Sequence, residues 1–464
     1  MQPSSPLGLR HANPSLVFAL ASLACATLSA CGESTSVDAS DPTEVLRPNW
    51  HQDVAPILHE RCVACHRQGG SAPFALEDFA SAASWAALLS EVVTEQTMPP
   101  WGAHETQECE PAHGWVDDMR LSEAESATIL DWIALGTPEG DPADAASLPE
   151  PVDRSLADPS DIFENPSPIV LEGKADSFVC FSIDTGLDEE VWITGVELLP
   201  DNEQVVHHVL IFLDETGASA ELAGPDGSYP CGDLHLGALL GSYFPGSLPT
   251  ELPPEVGVHF PAGARIVLNY HYHPSGAGQD VDQSSVAVRW TTQPPAYDAL
   301  ISSLGNATTA AGGLLPGPND PDGVPTFMIP AGASGHTETM QVTVPEWLPE
   351  LELFMLGPHM HDVGVDFRVT LERDGETRCL LQDPRWDPNW QRLYAIDAAL
   401  GSYPTLAGGD LLTLRCTYDN TLDNPAVVAK LAEFGLDAPI NVYLGSAGLD
   451  EMCMFVYGVA APRG

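Results

Sequence analysis

The sequence predicts a multidomain chain in which a small all-α domain is followed by two all-β antiparallel sandwiches. Three observations carry that expectation. The chain has 464 residues, more than one hydrophobic core usually supports. Up to about residue 142 it shows helical runs with cap and stop signals. Beyond residue 165 the pattern changes to short apolar runs separated by Gly, Pro, Asp and Asn, as in antiparallel sheets. The hydrophobic content of 44% is ample for cores of this kind, and 17 Lys+Arg against 66 Asp+Glu give a formal net charge of -49. Such a surface repels nucleic acid and anionic membranes, so nucleic-acid partners are excluded and membrane association is expected only through a lipid anchor.

The elements follow in order. Residues 1–30 carry Arg10 and His11 and then the apolar stretch SLVFALASLACATLSA, too short for a confident membrane span and typical of an export signal. Leu28-Ser29-Ala30-Cys31 resembles a bacterial lipobox, which implies lipidation at Cys31 and an exported lipoprotein, periplasmic or anchored at the outer membrane or cell surface. Ordinary secretion with cleavage near Ala30 is the alternative. Either route leads to a compartment where disulfides persist.

After an acidic, Ser/Thr-rich linker (32–45), the segment NWHQDVAPILHERCVACH reads as a helix running into Cys62-Val-Ala-Cys65-His66. Cys-x-x-Cys-His is the attachment signature of a covalently bound haem c, in which both thiols form thioethers and the histidine ligates iron. A redox or zinc Cys-x-x-Cys is the alternative. Met98 is the candidate second axial ligand, with His104 and Met119 behind it. In LSEAESATILDWIALGTPEGDP, Ser122 and Glu125 form a capping box, Ala124, Ile129, Trp132 and Ile133 offer an apolar face, and Gly136 and Pro138 end the helix. Residues 46–142 resemble a small cytochrome c domain, and a haem held by His and Met carries electrons because no coordination position is open.

Residues 143–164, rich in Pro, Asp and Ala, form a linker. A second break in AAGGLLPGPNDPDGVP divides a sandwich at 165–305 from one at 318–462, with helix-like exceptions near 296–304 and 425–436. These two pieces carry the histidine pairs His207-His208, His271-Tyr-His273 and His359-Met-His361, and the methionine Met452. The stretch LFMLGPHMHDVGVDFRV alternates at Val365, Phe367, Val369 and Leu371 as a half-buried strand, and residues two apart on a strand share a face, so His359 and His361 can close on one ion. Imidazole suits copper, zinc, iron or nickel, and a thioether shifts the choice towards Cu(I). Adjacent residues on a regular strand face opposite ways, so His207 and His208 share an ion only if the backbone bulges there. By geometry alone, His271 with His273 is the easier pair. His259 and His235 read as surface or core histidines, and Met360 and Met454 as packing residues.

The ordered segments VVHHVLIF, LPPEVGVHFPAGARIVLNYHYHP, LFMLGPHMHDVGVDFRV, GDLLTLRCTYDN and DEMCMFVYG resemble the copper type II, ascorbate-dependent monooxygenases, the family of peptidylglycine α-hydroxylating and dopamine β-monooxygenases. The resemblance implies two jelly-roll-like sandwiches, each holding one copper ion across a solvent-filled cleft. It assigns His207, His208 and His271 to an electron-transfer copper, and His359, His361 and Met452 to the copper that reacts with oxygen. His273 stays open as an alternative ligand. It further implies a disulfide between Cys416 and Cys453. Cys180 matches the family's first cysteine, whose usual partner is missing; Cys231 is the nearest substitute, and Cys109 and Cys379 are unassigned.

The expected activity is therefore hydroxylation of a C–H bond of a small molecule with O2, using two copper ions and one haem c, with ascorbate or a redox protein as external donor. Where peptidylglycine enzymes grip a carboxylate with arginine, asparagine and tyrosine, this chain has Gly357, Met454 and Val456, which points to a neutral or apolar substrate. A non-enzymatic copper-binding or electron-relay lipoprotein would use the same ligands.

Overall fold

The computed structural model describes residues 47–149, 155–173, 175–231, 237–276, 278–307 and 312–463. The export signal and Cys31 lie outside them. The chain is mostly β, built mainly of antiparallel sheets, with its helices concentrated before residue 135.

The helical part begins at Asn49, whose side chain accepts from Gln52 N at 3.0 Å and starts a π-turn, Trp50–Val54, that runs on into the helix Ala55–Arg61. The helices Phe79–Ser84, Ala86–Thr94 and Glu123–Ala134 complete it. Ser122 and Glu125 form the reciprocal capping box expected from the sequence, a feature worth about 1 kcal/mol. Trp50, Leu58, Leu76, Val93, Ile129 and Trp132 form the core of this part. Ala124 is exposed and does not join the apolar face, because it lies in the solvated first turn.

The first sandwich packs two sheets around one core. One sheet orders Ala238–Tyr243, Val206–Asp214, Arg265–Tyr272 and Ser177–Asp184 side by side, and the other runs Val256–Phe260, Val191–Leu199, Ser285–Thr291 and Asp161–Glu164. The second sandwich faces Tyr394–Asp397, Leu351–His359 and Cys453–Pro462 against Ser334–Thr343, Leu411–Asp419, Gly364–Arg373 and Glu376–Asp383.

Two expectations are corrected here. Residues near 296–304 are not helical: Tyr297–Asn306 is a strand that pairs along its whole length with Cys453–Pro462. Its local sequence tolerates a helix, but three neighbouring strands supply hydrogen bonds from other parts of the chain, and that pairing decides its state. In consequence the two sandwiches share one continuous sheet. His359 and His361 also do not share a strand, because Leu351–His359 ends at the first histidine and Gly364 opens a strand of the opposite sheet. The chain crosses between layers in the intervening turn, where Gly364 N donates to His361 O at 3.3 Å. The helix Pro425–Glu433 matches its expectation, with Pro425 in the first turn and the Asn424 side chain capping Ala426 N.

Residues 98–120 leave the helical core and lie on the second sandwich. Gly114–Trp115 pairs with Tyr394–Asp397, and Trp101, Ala103, Trp115 and Met119 are buried in the sandwich's core. The disulfide Cys109–Cys379 closes over this arm, across 270 residues of sequence. Replacing both cysteines by alanine is expected to lower stability by about 2–4 kcal/mol and to make residues 98–120 the first site of limited proteolysis. An unchanged denaturation midpoint and cleavage pattern would show that the Trp115 packing alone suffices.

Candidate metal centres

The register of the His207 strand explains how consecutive histidines meet. His271 pairs with His208, but the next residue, Tyr272, pairs with Val206, so His207 is an extra residue inserted into the ladder. A bulge of this kind re-aims a side chain that strand alternation would point away. Nδ1 of His207 and Nδ1 of His208 come within 3.1 Å, and one ligand atom from each of His207, His208 and His271 lies within 4.8 Å of the others. That spacing fits a single ion held by three imidazoles.

Asp176, which the sequence reading missed, orients the cluster. Its carboxylate bonds His271 Nε2 at 2.9 Å and His273 Nδ1 at 2.7 Å. Nδ1 of His271 is buried without a hydrogen-bond partner, which fits metal ligation, with Asp176 fixing the ring from its other nitrogen. The side chain of His273 is 65% exposed, so it stands outside the three-imidazole group. Burial opposes ionisation of Asp176, but the bonds and charges of His271 and His273 outweigh it and hold the carboxyl at about 2. Burial, helped by the charge of His271, lowers His207 to about 4 and His208 well below the usual histidine range. At neutral pH these imidazoles keep lone pairs available to a metal.

The second group sits where the chain changes sheets. His359 closes its strand and bonds Gln391 Oε1 through Nδ1 at 2.7 Å. His361 bonds Asp450 O through Nδ1 at 3.0 Å, leaving Nε2 as the nitrogen available to a metal, and the two rings lie 5.4 Å apart. Glu451, also missed from sequence, knots this region. One carboxyl oxygen accepts from His361 N at 2.5 Å and from Met452 N at 2.7 Å, and Tyr418 Oη donates to Met452 O at 3.0 Å. Burial raises the Glu451 carboxyl to about 8, against the pull of those two backbone N–H groups. Met452 is 1% exposed, and the next residue is bridged in the disulfide Cys416–Cys453. His361 and Met452 meet through their backbone N–H groups at Glu451, and a set of two imidazoles and a thioether would suit a soft Cu(I) ion.

One loop touches both groups. The Asn389 side chain lies close enough to His207 to bear on its proton affinity, and Gln391, two residues on, holds His359. His359 is also close enough to His208 to contribute to its lowered proton affinity. Of the two histidines set aside from sequence, His259 pairs with Glu190 at 3.1 Å on the surface, and His235 lies outside the described residues.

The Cys62-Val-Ala-Cys65-His66 segment closes the helix Ala55–Arg61. Cys62 and Cys65 are free thiols. His66 Nδ1 bonds Phe74 O at 3.0 Å, fixing the ring so that Nε2 is the atom a haem iron would meet. These residues fit a covalently held haem c. Met119 is buried in the second sandwich, and His104 Nε2 lies 2.8 Å from Trp101 O and 3.3 Å from Arg385. Both runners-up are therefore engaged elsewhere, and Met98 is half-buried. Cys180 pairs with Cys231 in a third disulfide, within the first sandwich.

Residues 328–457 match the family model described as copper type II ascorbate-dependent monooxygenase, C-terminal domain, a span that holds His359, His361 and Met452. No curated protein matches the chain. Among solved structures, the major capsid protein P2 from Bacteriophage PM2 is similar at 13% identity and a TM-score of 0.27, covering 66% of this chain and 98% of that one. PNGF-II is similar at 10% identity and a TM-score of 0.22, covering 66% and 63%. Scores this low carry no argument. The family match supports a copper-dependent monooxygenase, and with it copper, O2, a small-molecule substrate and an electron donor.

Asp176→Asn is expected to weaken copper binding at the three-histidine centre about 10–100-fold, measured by titration against a competing chelator. An unaltered affinity would remove Asp176 from this role. The metal-free protein has a pH signature as well. The unfolded chain binds protons at its histidines near pH 6.5, whereas burial holds His207 and His113 at about 4. The contribution of these two histidines to stability should therefore fall as the pH drops through that window, while the raised Glu451 carboxyl contributes in the opposite sense. A melting-temperature difference between the wild type and a His113→Phe variant that stays constant between pH 6.5 and 4 would contradict the assignment.

Proposed function

We propose that the protein is an exported copper-dependent monooxygenase that hydroxylates a C–H bond of a small, neutral molecule with O2, receiving electrons through its own c-type haem. The observation that carries this reading is the pair of unlike ligand groups, one of three imidazoles on a bulged strand and one of two imidazoles beside a buried methionine. The family match over the second of these groups stands behind it. When bound, copper supplies one-electron redox chemistry and oxygen activation, and haem c supplies a one-electron carrier.

The chain's own residues prepare these places. Asp176 fixes the tautomer of His271, and Asp450 O fixes that of His361. Glu451 and the Cys416–Cys453 bridge hold Met452 from both sides. A cavity of about 390 Å³ lies between the sandwiches, bounded by Phe244, Leu252, Phe354, Leu393, Tyr394 and Tyr403 and also by Asp117, Glu251 and Arg392, mostly apolar walls of the kind that hold a small molecule. At Gly357 the space a side chain would need is taken by Leu393, and Met454 is buried. No cation stands at these positions to grip a carboxylate. Lipidation at Cys31 and a periplasmic or surface location complete the proposal, supported by three disulfides of the kind that oxidising compartments preserve.

The reduced, copper-loaded protein is expected to consume O2 only when a suitable neutral substrate is present, and to place one labelled oxygen atom in the product. His361→Ala should abolish that uptake while leaving the spectrum of the three-histidine copper intact. Uptake that no member of a broad library of C–H substrates stimulates would favour an electron-relay or copper-carrying protein instead.

A further inference from the structure

One tight turn touches both the Cys62–His66 motif and the three-histidine centre. The strand Ala238–Tyr243 leads into Phe244-Pro245-Gly246-Ser247, where Ser247 N donates to Phe244 O at 2.9 Å. Phe244 N donates back to Ser247 Oγ at 3.1 Å. Proline at the second position and a glycine with φ of 77° at the third are the residues a type II turn requires. Glycine is needed at 246 for a second reason, since a Cβ there would lie 2.9 Å from Cys65 Sγ. At the other end of the turn Phe244 is 8% exposed, and its ring centroid lies 5.6 Å from that of His208. The neighbouring residue Tyr243 feels the charges of Glu203, Cys65 and Arg67. Arg67 and Glu203 form a two-pronged ion pair at 2.7 and 3.2 Å, which clamps the segment after Cys65 to the loop just before His207.

We propose that Phe244–Gly246 is the contact through which an electron crosses from the haem-bearing motif to the three-histidine centre. The proposal rests on the reading that haem c supplies the electrons. Cys62, Cys65 and His66 would hold the haem and His207, His208 and His271 the copper; one electron would pass between them, the haem iron losing it as the copper gains it, with no atom or proton moved, and the external one-electron donor would restore the haem. Phe244 is a positioning residue. Its ring packs beside the His208 imidazole while Gly246, two residues on, packs against Cys65, and close packing keeps such a junction short.

The test uses the full chain carrying haem and copper, mixed rapidly and without oxygen with less than one equivalent of dithionite. Haem absorbance and the cupric electron paramagnetic resonance signal are followed together. In the wild type the haem should be reduced first and then re-oxidise as the cupric signal falls by an equal amount. Phe244→Ala should slow that second phase roughly tenfold with haem spectrum, copper content and cupric signal parameters unchanged, and Phe244→Tyr should restore it. Phe244→Leu, which keeps most of the volume, should slow it to a lesser degree and serves if the alanine variant does not fold. Equal rates in wild type and in both the alanine and leucine variants would overturn this proposal while leaving the haem as donor. Ferrous haem that never re-oxidises in the wild type would overturn both.

Discussion

The ladder between Tyr297–Asn306 and Cys453–Pro462 is the constraint on which the rest of the molecule depends. These two strands pair along ten positions, and Cys453–Pro462 also pairs on its far edge with the strand that ends at His359. One strand thus joins the sandwiches and carries Met452 at its entrance. Its start is tightly specified. Gly305 lies opposite Met454, and a Cβ there would fall 2.2 Å from Cys453 O. Any larger residue would push against the backbone next to Met452. Edge-to-edge pairing also removes two exposed sheet edges, which would otherwise invite intermolecular pairing.

The two candidate centres solve one problem with opposite electrostatics. A metal site in a partly buried region needs polar groups that orient ligands without leaving an unpaired charge. At the three-histidine group the orienting carboxylate, Asp176, stays ionised because two imidazoles bond it. At the His359–Met452 group Glu451 is deeper and has only backbone donors, and burial raises its proton affinity. The first arrangement adds negative charge beside three imidazoles, which favours a site able to hold the more highly charged cupric ion. The second adds less charge, as suits a softer ligand set.

Legibility from sequence followed the range of the interactions. The helix entering Cys62, the Ser122–Glu125 capping box and the Asn424-capped helix depend on neighbours within a turn, and each was readable. The adjacent histidines required a bulge, but only the pairing of His271 with His208 and of Tyr272 with Val206 locates it at His207. Asp176 and Glu451 were missed because an acidic residue in an acidic chain carries no local mark; what singles them out is contact across 95 and 90 residues. The arm at 98–120 and the strand Tyr297–Asn306 share that cause. Their main partners are remote in sequence, Trp115 pairing with Ile396 and Asn306 with Cys453, and no local propensity encodes a partner.

The mounting of the helical part bears on how it can serve the sandwiches. Residues 143–164 have the composition of a flexible linker, and a domain held by such a linker alone would meet its partner surface only in a fraction of its positions. Three further attachments remove that freedom: the Cys109–Cys379 bridge and the Trp115 strand pair on the second sandwich, and the Arg67–Glu203 clamp on the first. The Arg385 guanidinium adds a hydrogen bond to Glu95 O at 2.6 Å. Attachments to both sandwiches at once favour a fixed seat over repeated docking. In a fixed seat, the approach of Cys65 to Gly246 is set by the fold and not by diffusion. Its distance then depends on the packing of one turn, which is where a single side chain such as Phe244 gains leverage.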